Sequence, residues 1–458
     1  MERKLTAGER LDRLPISRWH YRMLVVIGAG LFVDGIDNYM GGAVLSELIQ
    51  MGWSTNYLNA AFISFTMLGL FCGSLLTGYI GDRFGRKFAY QLNLLIFGIA
   101  GLIGAFSPNM YFLIACRFVM GIGLGAEIIV GFGMFAEMVP AKVRGRWSSY
   151  LSLIGNMAAP VGMLLCYLII PAFGWRVMFF TGGLLALLVW FPRQHMPESP
   201  RWHESKGHRL QADTILESIE KEIEAEKGIK LDPYTNDHVF AKEPVAKNTF
   251  GWLDLFKGEV LRRNIIASVC LVAMNTLIYT IINWLPTIFV HQGISVTKSV
   301  GMVALMMLGA PVGVIISAYL ADRFARKYVA VTLLFLISVM CYIYSAQRED
   351  ILIMTSGFVM TILIYFFVCF VCSVYVPELF PTEIRLRGMG FSNAVGRFSA
   401  VISPYVVAYL ITDYGTDSVF HVLTGFLLVC AAIIYFLGVE SRGKSLEEVN
   451  EYAVLNKS

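Results

Sequence analysis

Charge is scarce in this chain: Asp, Glu, Lys and Arg make up 15% of its 458 residues, while hydrophobic residues make up 56%. Soluble domains carry about 25% charged residues, so a water-facing surface along the whole chain is excluded. Metal-ligand patterning is missing as well. All eight cysteines lie in apolar stretches, and Cys369 and Cys372 have metal-like spacing but no second ligand pair. They read as packing residues. The one stretch with the polarity of a soluble region, 203–263, has no nucleotide-binding glycine loop, no Ser/His/Asp set and no metal cluster. An enzyme, a metal and an organic cofactor are therefore not expected. Nor is a cleavable leader, because the first apolar segment is too long and lacks a small-residue cleavage site.

What the chain does have is long apolar runs. Twelve are long enough to cross a bilayer, which takes about 20 residues each: 23–45, 58–79, 88–107, 111–133, 148–170, 176–192, 264–286, 299–320, 329–346, 351–376, 388–411 and 418–438. Lys and Arg in the intervening loops set the orientation. With the N-terminus inside and the long central loop left out, 20 basic residues face the cytoplasm against Arg176, Lys298 and Arg348 outside. Both termini are expected in the cytoplasm, in an inner membrane. The net charge of +4 is then a topology signal, and no nucleic-acid partner is needed to explain it. Trp19, His20 and Tyr21 in the basic lead suit an interfacial anchor, and 210–227 reads as a solvated helix rich in i,i+4 Glu/Lys pairs.

The runs are duplicated. Gly78-Tyr79-Ile80-Gly81-Asp82-Arg83-Phe84-Gly85-Arg86-Lys87 returns 240 residues later as Ala318-Tyr319-Leu320-Ala321-Asp322-Arg323-Phe324-Ala325-Arg326-Lys327. Glu137, Arg144 and Arg146 return as Glu378, Arg385 and Arg387, and Glu198-Ser199 as Glu440-Ser441. Such periodicity is one unit repeated. The expected fold is all-α: twelve membrane helices in two pseudo-symmetric six-helix bundles, residues 1–192 and 264–438, joined by a linker with short helices (193–263) and followed by a tail (439–458). Proteins so built place substrate between the repeats.

Ionisable residues inside the runs are costly, at least about 2.5–3.5 kcal/mol each, and mark function. Asp34 and Asp37 are three residues apart, on one face of the first helix. Arg117 of the fourth segment lies at a depth similar to Asp37, so the two can pair. Glu127 sits deeper on that segment, and desolvation disfavours its charge unless it is paired. Gly121, Gly123 and Gly125 allow close helix contact, and Gly155-Asn156 with Pro160 lets the fifth segment bend. Asn275, Tyr279 and Asn283 of the seventh segment, with Trp284 beside them, present one hydrogen-bonding face. Pro286 and Pro311 are further candidate bends. Asn393 precedes Arg397, a cation inside the eleventh segment that no acid in segments seven to twelve neutralises; Arg397 is the leading anion-binding candidate.

The duplicated turns, Pro197-Glu198-Ser199-Pro200-Arg201-Trp202, Pro377-Glu378-Leu379-Phe380-Pro381-Thr382 and Glu440-Ser441-Arg442-Gly443 resemble in combination the major facilitator superfamily, in its sugar-porter-type branch. Enterobacterial inner-membrane metabolite transport proteins are particularly similar. The resemblance implies two six-helix bundles around a central cavity. It also implies a cytoplasmic charge network of Asp82, Arg83, Arg86, Glu137, Arg144, Asp322, Arg323, Arg326, Glu378 and Arg385 that latches the outward-open state. Hexose porters carry a Gln-Gln pair where Ala273 and Met274 stand, and a Gly-Pro-x-x-Trp motif where Cys369, Phe370 and Ser373 stand. Asp34-Gly35-Ile36-Asp37 is similar to the Asp-Gly-x-Asp of aromatic-acid/proton symporters; Gly125-Ala126-Glu127 and Arg397 resemble features of niacin and organic-anion transporters.

Together these residues lead to an expectation of proton-coupled symport of an organic acid or sugar-acid-like anion by alternating access. Asp37, Arg117, Asp34 and Glu127 would couple protons; Arg397, Asn156, Tyr279, Asn283, Trp284, Asn275 and Asn393 would form the ligand site. The coupling ion is the proton, no cofactor or metal is expected, and the partners are a small-molecule substrate and the lipid bilayer around a monomer. An antiporter exporting drugs or metabolites is the alternative, on a partial glycine-proline motif at 155–162, and a transporter-like sensor is a third. Ionised together, the five buried groups carry one net negative charge. Uptake of one proton per monovalent anion moves no net charge, so it should ignore the membrane potential.

Overall fold

The computed structural model describes residues 6–140, 143–231, 255–320, 323–380 and 385–439. All regular elements among them are helical, and twelve helices are long and apolar enough to span a membrane. The first six spans run over Arg18–Gln50, Asn56–Phe84, Arg86–Ala105, Met110–Met138, Arg144–Asn156 continued by Ala158–Phe173, and Trp175–Arg193. The second six begin with Gly258–Leu277, Ile278–Ile282 and Asn283–His291 as one span, then Val296–Met307 with Gly309–Leu320, and Arg326–Ser345. Asp350–Phe370 with Val371–Tyr375 and Val376–Leu379, Arg385–Tyr414 and Thr416–Leu437 complete the set.

Helix pairing repeats with an offset of six. The second span packs on the fourth and the third on the sixth; correspondingly the eighth packs on the tenth and the ninth on the twelfth. The lobes meet through first against seventh, second against eleventh and fifth against eighth, which are again equivalent positions. Rows of large apolar side chains stay on the outside, among them Phe173, Tyr319 and Phe436 at 70–75% exposure. On a water-facing surface they would be costly; against acyl chains they are at home.

Four of the described spans depart from simple helices, each near a proline; the tenth does so through a π-helical turn at Val371–Tyr375 before Pro377. The fifth breaks at Met157, beside Gly155-Asn156 and before Pro160. The eighth breaks between Met307 and Gly309, before Pro311. The seventh carries a π-helical turn at Ile278–Ile282 just before Pro286, which accommodates a proline that can neither donate to the ladder nor tolerate the carbonyl four residues back.

The end of the molecule that carries the duplicated basic turns is built around Glu198. Its carboxylate accepts from the backbone N–H groups of Arg86 and Lys87 at 3.0 and 3.1 Å, capping the third span with a negative charge where the helix dipole favours one. Gly85 permits this: its φ is +105°, and a Cβ there would stand 2.2 Å from Glu198 Oε2. The Pro-Glu-Ser motif and the basic turn are thus two halves of one joint. Ser199 Oγ donates to Glu137, and Arg86 approaches Glu137 at 4.0 Å. In the second lobe Arg326 Nε and Nη2 reach Glu378 at 3.1 and 3.3 Å. These pairs each join helices of one lobe. Arg83 and Arg323 lie at the same end, Arg83 over the Phe84 ring. Asp322, and the side chains of Asp82, Arg144 and Arg385, fall outside the described residues, as do the linker's 232–254 and the Glu440-Ser441 repeat.

Two sequence expectations change here. The linker helix Arg209–Lys227 is solvated on one side only, because Leu216, Ile219 and Ile223 are buried in a cluster with Leu11, Leu14 and Trp19 of the N-terminal segment. Trp19 and His20 are accordingly buried, and of the three proposed anchor residues only Tyr21 is exposed. Ion pairs rivet the contact: Glu220 accepts from Arg10 and Arg13, each at 2.7 Å, and Arg22 meets Glu222 at 3.0 Å. Partial burial alone would raise the Glu220 carboxyl, but hydrogen bonds from Arg10 and Arg13 and their charges outweigh it and hold it below its ordinary 4.5. A depressed carboxylate contributes stability above its unfolded pKa and loses it as pH falls through the folded one. We predict that Glu220→Gln lowers the melting temperature at neutral pH, and that the gap to wild type closes as pH falls below about 4; fluorescence melts across pH check it.

Candidate functional site in the cavity between the lobes

A tight crossing sets the depth of the site. Where the second and fourth spans meet, a Cβ on Gly121 would stand 2.4 Å from Thr66 O, and one on Gly125 would stand 2.1 Å from Leu70 O. Nothing larger than hydrogen fits, so the backbones touch. This contact brings Arg117 beside Thr66, whose hydroxyl accepts from Nε at 3.2 Å. Arg117 Nη1 then reaches both oxygens of Asp37, at 2.7 and 2.8 Å. The guanidinium sits 4.7 Å from the Phe62 ring centre and 5.9 Å from Phe179. Both partners are buried, at 3% and 0% exposure. The expected pair is formed, with cation–π support that reduces its desolvation cost.

The pair lines a cavity of about 210 Å³. Its walls include Asp34, Asn38, Tyr39, Ser152, Asn156 and Tyr279, and Phe132 and Leu151 extend it toward the basic end. Gly35 has a steric role between the two acids: its Cβ would stand 2.4 Å from Ala158 Cβ, so the broken fifth span can press against the first only over a glycine. Toward the opposite end the lobes are shut. Tyr365 donates to Tyr39 at 2.6 Å, Ser64 to Val401 O at 2.7 Å, and Asn56 to Thr412 at 3.1 Å, while His291 Nε2 lies 2.9 Å from Asn56 Oδ1. Each bond joins the two lobes, giving a cavity sealed at one end.

Asp34 has no hydrogen-bond or ion-pair partner among the described residues; Arg397 of the other lobe is among the charges that act on it. Arg397 itself is half-buried and likewise unpartnered among them, and it also acts on Tyr279. The structure therefore gathers Asp34, Asp37, Arg117, Asn156 and Tyr279 around one space; Arg397 does not line it but is near enough for its charge to act on Asp34 and Tyr279.

The rest of the expected ligand face does not assemble. Asn275, Asn283, Trp284 and Asn393 do not line the cavity. The shared face of Asn275, Tyr279 and Asn283 presumes an unbroken α-helix, and the π turn at 278–282 adds a residue between them. The backbone of Asn283 packs on Gly42, where a Cβ would stand 2.6 Å from Asn283 O, its side chain is buried near Gly41, and Trp284 is packed in the core at 1% exposure. Asn275 and Asn393 donate to carbonyls of their own helices, Leu271 O and Met389 O, at 2.8 and 2.9 Å.

Glu127 differs from its sequence reading too. Arg193, the last residue of the sixth span, donates to both its oxygens, with Nη1 to Oε2 at 3.0 Å. Tyr90 also joins this cluster, and neither Arg193 nor Tyr90 was singled out from sequence. With Arg193 included, Asp34, Asp37 and Glu127 are balanced by Arg117, Arg193 and the half-buried Arg397, and these six groups carry no net formal charge rather than one negative charge.

Two lobes of six spans around a charge-lined cavity closed at one end define a membrane transporter. The family model described as "Sugar (and other) transporter" matches residues 24–453, and the chain belongs to that family, within the major facilitator superfamily. It is 49% identical over 452 residues to the inner membrane metabolite transport protein YdjE of Escherichia coli (strain K12), covering 98% of this chain and 100% of that protein. It is 31% identical over 444 residues to the niacin transporter NiaP of Acinetobacter baylyi (strain ATCC 33305 / BD413 / ADP1), covering 96% and 98%. Its fold is similar to the partially occluded inward open conformation of the xylose transporter XylE from E. coli, with a TM-score of 0.74 at 17% identity over 94% of this chain and 100% of that one.

Removing one member of a buried pair strands the other charge and costs about 3–5 kcal/mol, whereas removing both can be nearly neutral. Asp37→Asn is expected to lower the melting temperature in detergent, and Asp37→Asn with Arg117→Met to recover most of it. A single variant as stable as wild type would contradict the pairing.

Proposed function

We propose that the protein is a proton-coupled symporter of a small organic anion, with the basic end in the cytoplasm. The observation that carries this reading is the buried Asp37–Arg117 pair on the cavity wall, with Asp34, unpartnered among the described residues, beside it and the charge of Arg397 from the other lobe acting on Asp34. Protonating Asp37 cancels the attraction that holds Arg117, so the energy of the closed arrangement depends on proton occupancy. Asp34 serves as the second titrating group. Arg397 receives the carboxylate of the ligand, and Tyr279 and Asn156 supply hydrogen bonds from two lobes, so that binding draws the lobes together. The absence of the hexose porters' Gln-Gln pair and the 31% identity to a niacin transporter favour an acid over a neutral sugar.

In this scheme the empty site is neutral, and the site carrying one proton and one monovalent anion is neutral too. Both forms cross without moving charge.

Nicotinate, benzoate and gluconate are the probes. One of them is expected to alkalinise an unbuffered suspension of expressing cells, and its proton-driven accumulation in proteoliposomes is expected to vanish in Asp37→Asn while exchange at equal pH persists. Arg397→Ala is expected to weaken apparent affinity by about tenfold or more, as for a lost charged hydrogen bond of 1.5–3 kcal/mol. Unchanged proton drive in Asp37→Asn, or unchanged affinity in Arg397→Ala, would refute the respective assignment.

A further inference from the structure

The second buried ion pair lies outside the cavity lining, in the half of the first lobe nearer the basic end. Arg193 is 0% and Glu127 2% exposed. The guanidinium is held from three sides. Glu127 of the fourth span takes both terminal nitrogens, the Tyr90 hydroxyl of the third span accepts from Nη2 at 3.0 Å, and the Tyr90 ring lies 3.8 Å from the guanidinium carbon. The fourth side is the first span itself. A Cβ on Gly30 would stand 1.4 Å from Arg193 Nη2 and 2.1 Å from Glu127 Oε1. The pair therefore rests on bare backbone one turn from Asp34. The charged and titratable groups that bear on Glu127 are Arg193, Tyr90 and Asp34, from three different spans.

A carboxylate in fork-to-fork contact with a fully buried arginine is a poor proton carrier. Protonating it would strand the guanidinium, whose own proton does not leave in proteins. Arg117 lines the cavity, where water or the ligand anion can take over from a protonated Asp37, whereas Arg193 and Glu127 do not line it. We propose that Arg193 holds Glu127 as a permanently ionised pair that takes no part in the proton cycle, and that this pair fixes the first span beside Asp34. Arg193 is a positioning residue, and Asp34 is left as the second exchangeable carboxyl. The consequence for coupling rests on the symport reading; the state of the pair does not.

Infrared spectroscopy of the purified protein reads protonated buried carboxyls directly through their C=O stretch, with no ligand needed. Titrated across the pH range in which the protein stays folded, Glu127→Gln combined with Arg193→Met should keep every titrating band of wild type. Arg193→Met alone should add one, because an unpaired buried Glu127 becomes protonatable, and Arg193→Lys should remove most of that addition. Loss of a wild-type band in the double variant would show that Glu127 titrates and would overturn the proposal. Gly30→Ala answers the same question if the double variant does not fold. It retains every charge but forces the pair off its seat, so a new band and a lower melting temperature are expected, and wild-type behaviour in both readouts would overturn the positioning role. Failure of the acid probes to alkalinise the medium would defeat the symport reading and leave these spectra unaffected.

Discussion

The contact between the second and fourth spans is the constraint from which the site follows. Two helices can carry opposite charges toward each other in a low-dielectric interior only if the geometry returns what desolvation takes away. Here glycines at 69, 73, 121 and 125 let backbone touch backbone, which fixes Arg117 against Thr66 and leaves its outer edge for Asp37. Loosening the crossing by a methyl group would separate the charges before any side chain at the site had been altered.

The same economy recurs at each charged joint. Glu198 sits where Gly85 makes room, Arg193 where Gly30 does, and Asp34 and Asp37 flank the glycine over which the fifth span bends. The lobes are rigid inside, through helix pairs that repeat in both halves, and meet at the closed end through single hydrogen bonds between polar side chains. Lobe-to-lobe hydrogen bonds worth about 1 kcal/mol each suit alternation between two arrangements, and the apolar packing that the two lobes share must part along with them.

The sequence made the fold legible because hydrophobic length and internal duplication are global signals that survive local irregularity. Asp37 and Arg117 were legible for a related reason: depth along a membrane helix can be counted from its ends. Counting fails where the helix is not regular. The π turn before Pro286 displaced Asn283 and Trp284 from the face that i,i+4 spacing gives them. Arg193 was hidden by its position at the border between span and linker, where it reads as one more basic loop residue, and its partner lies 66 positions earlier on a different span. The Phe191-Pro192-Arg193 ending, which closes an apolar span on a cation, is the one local hint. Trp19 and His20 read as interfacial because nothing in their neighbourhood announces that a helix two hundred residues on will cover them.

The central claim is that proton occupancy of Asp37 decides how the two lobes sit. Its most direct test is the distance between spin labels at Thr55 and Asp413, exposed positions on opposite lobes at the closed end, measured by pulsed electron resonance across pH in a background without reactive cysteine. The account predicts a distance distribution that redistributes with pH in the wild-type site and stays fixed in Asp37→Asn. The same pH response in both proteins would contradict it.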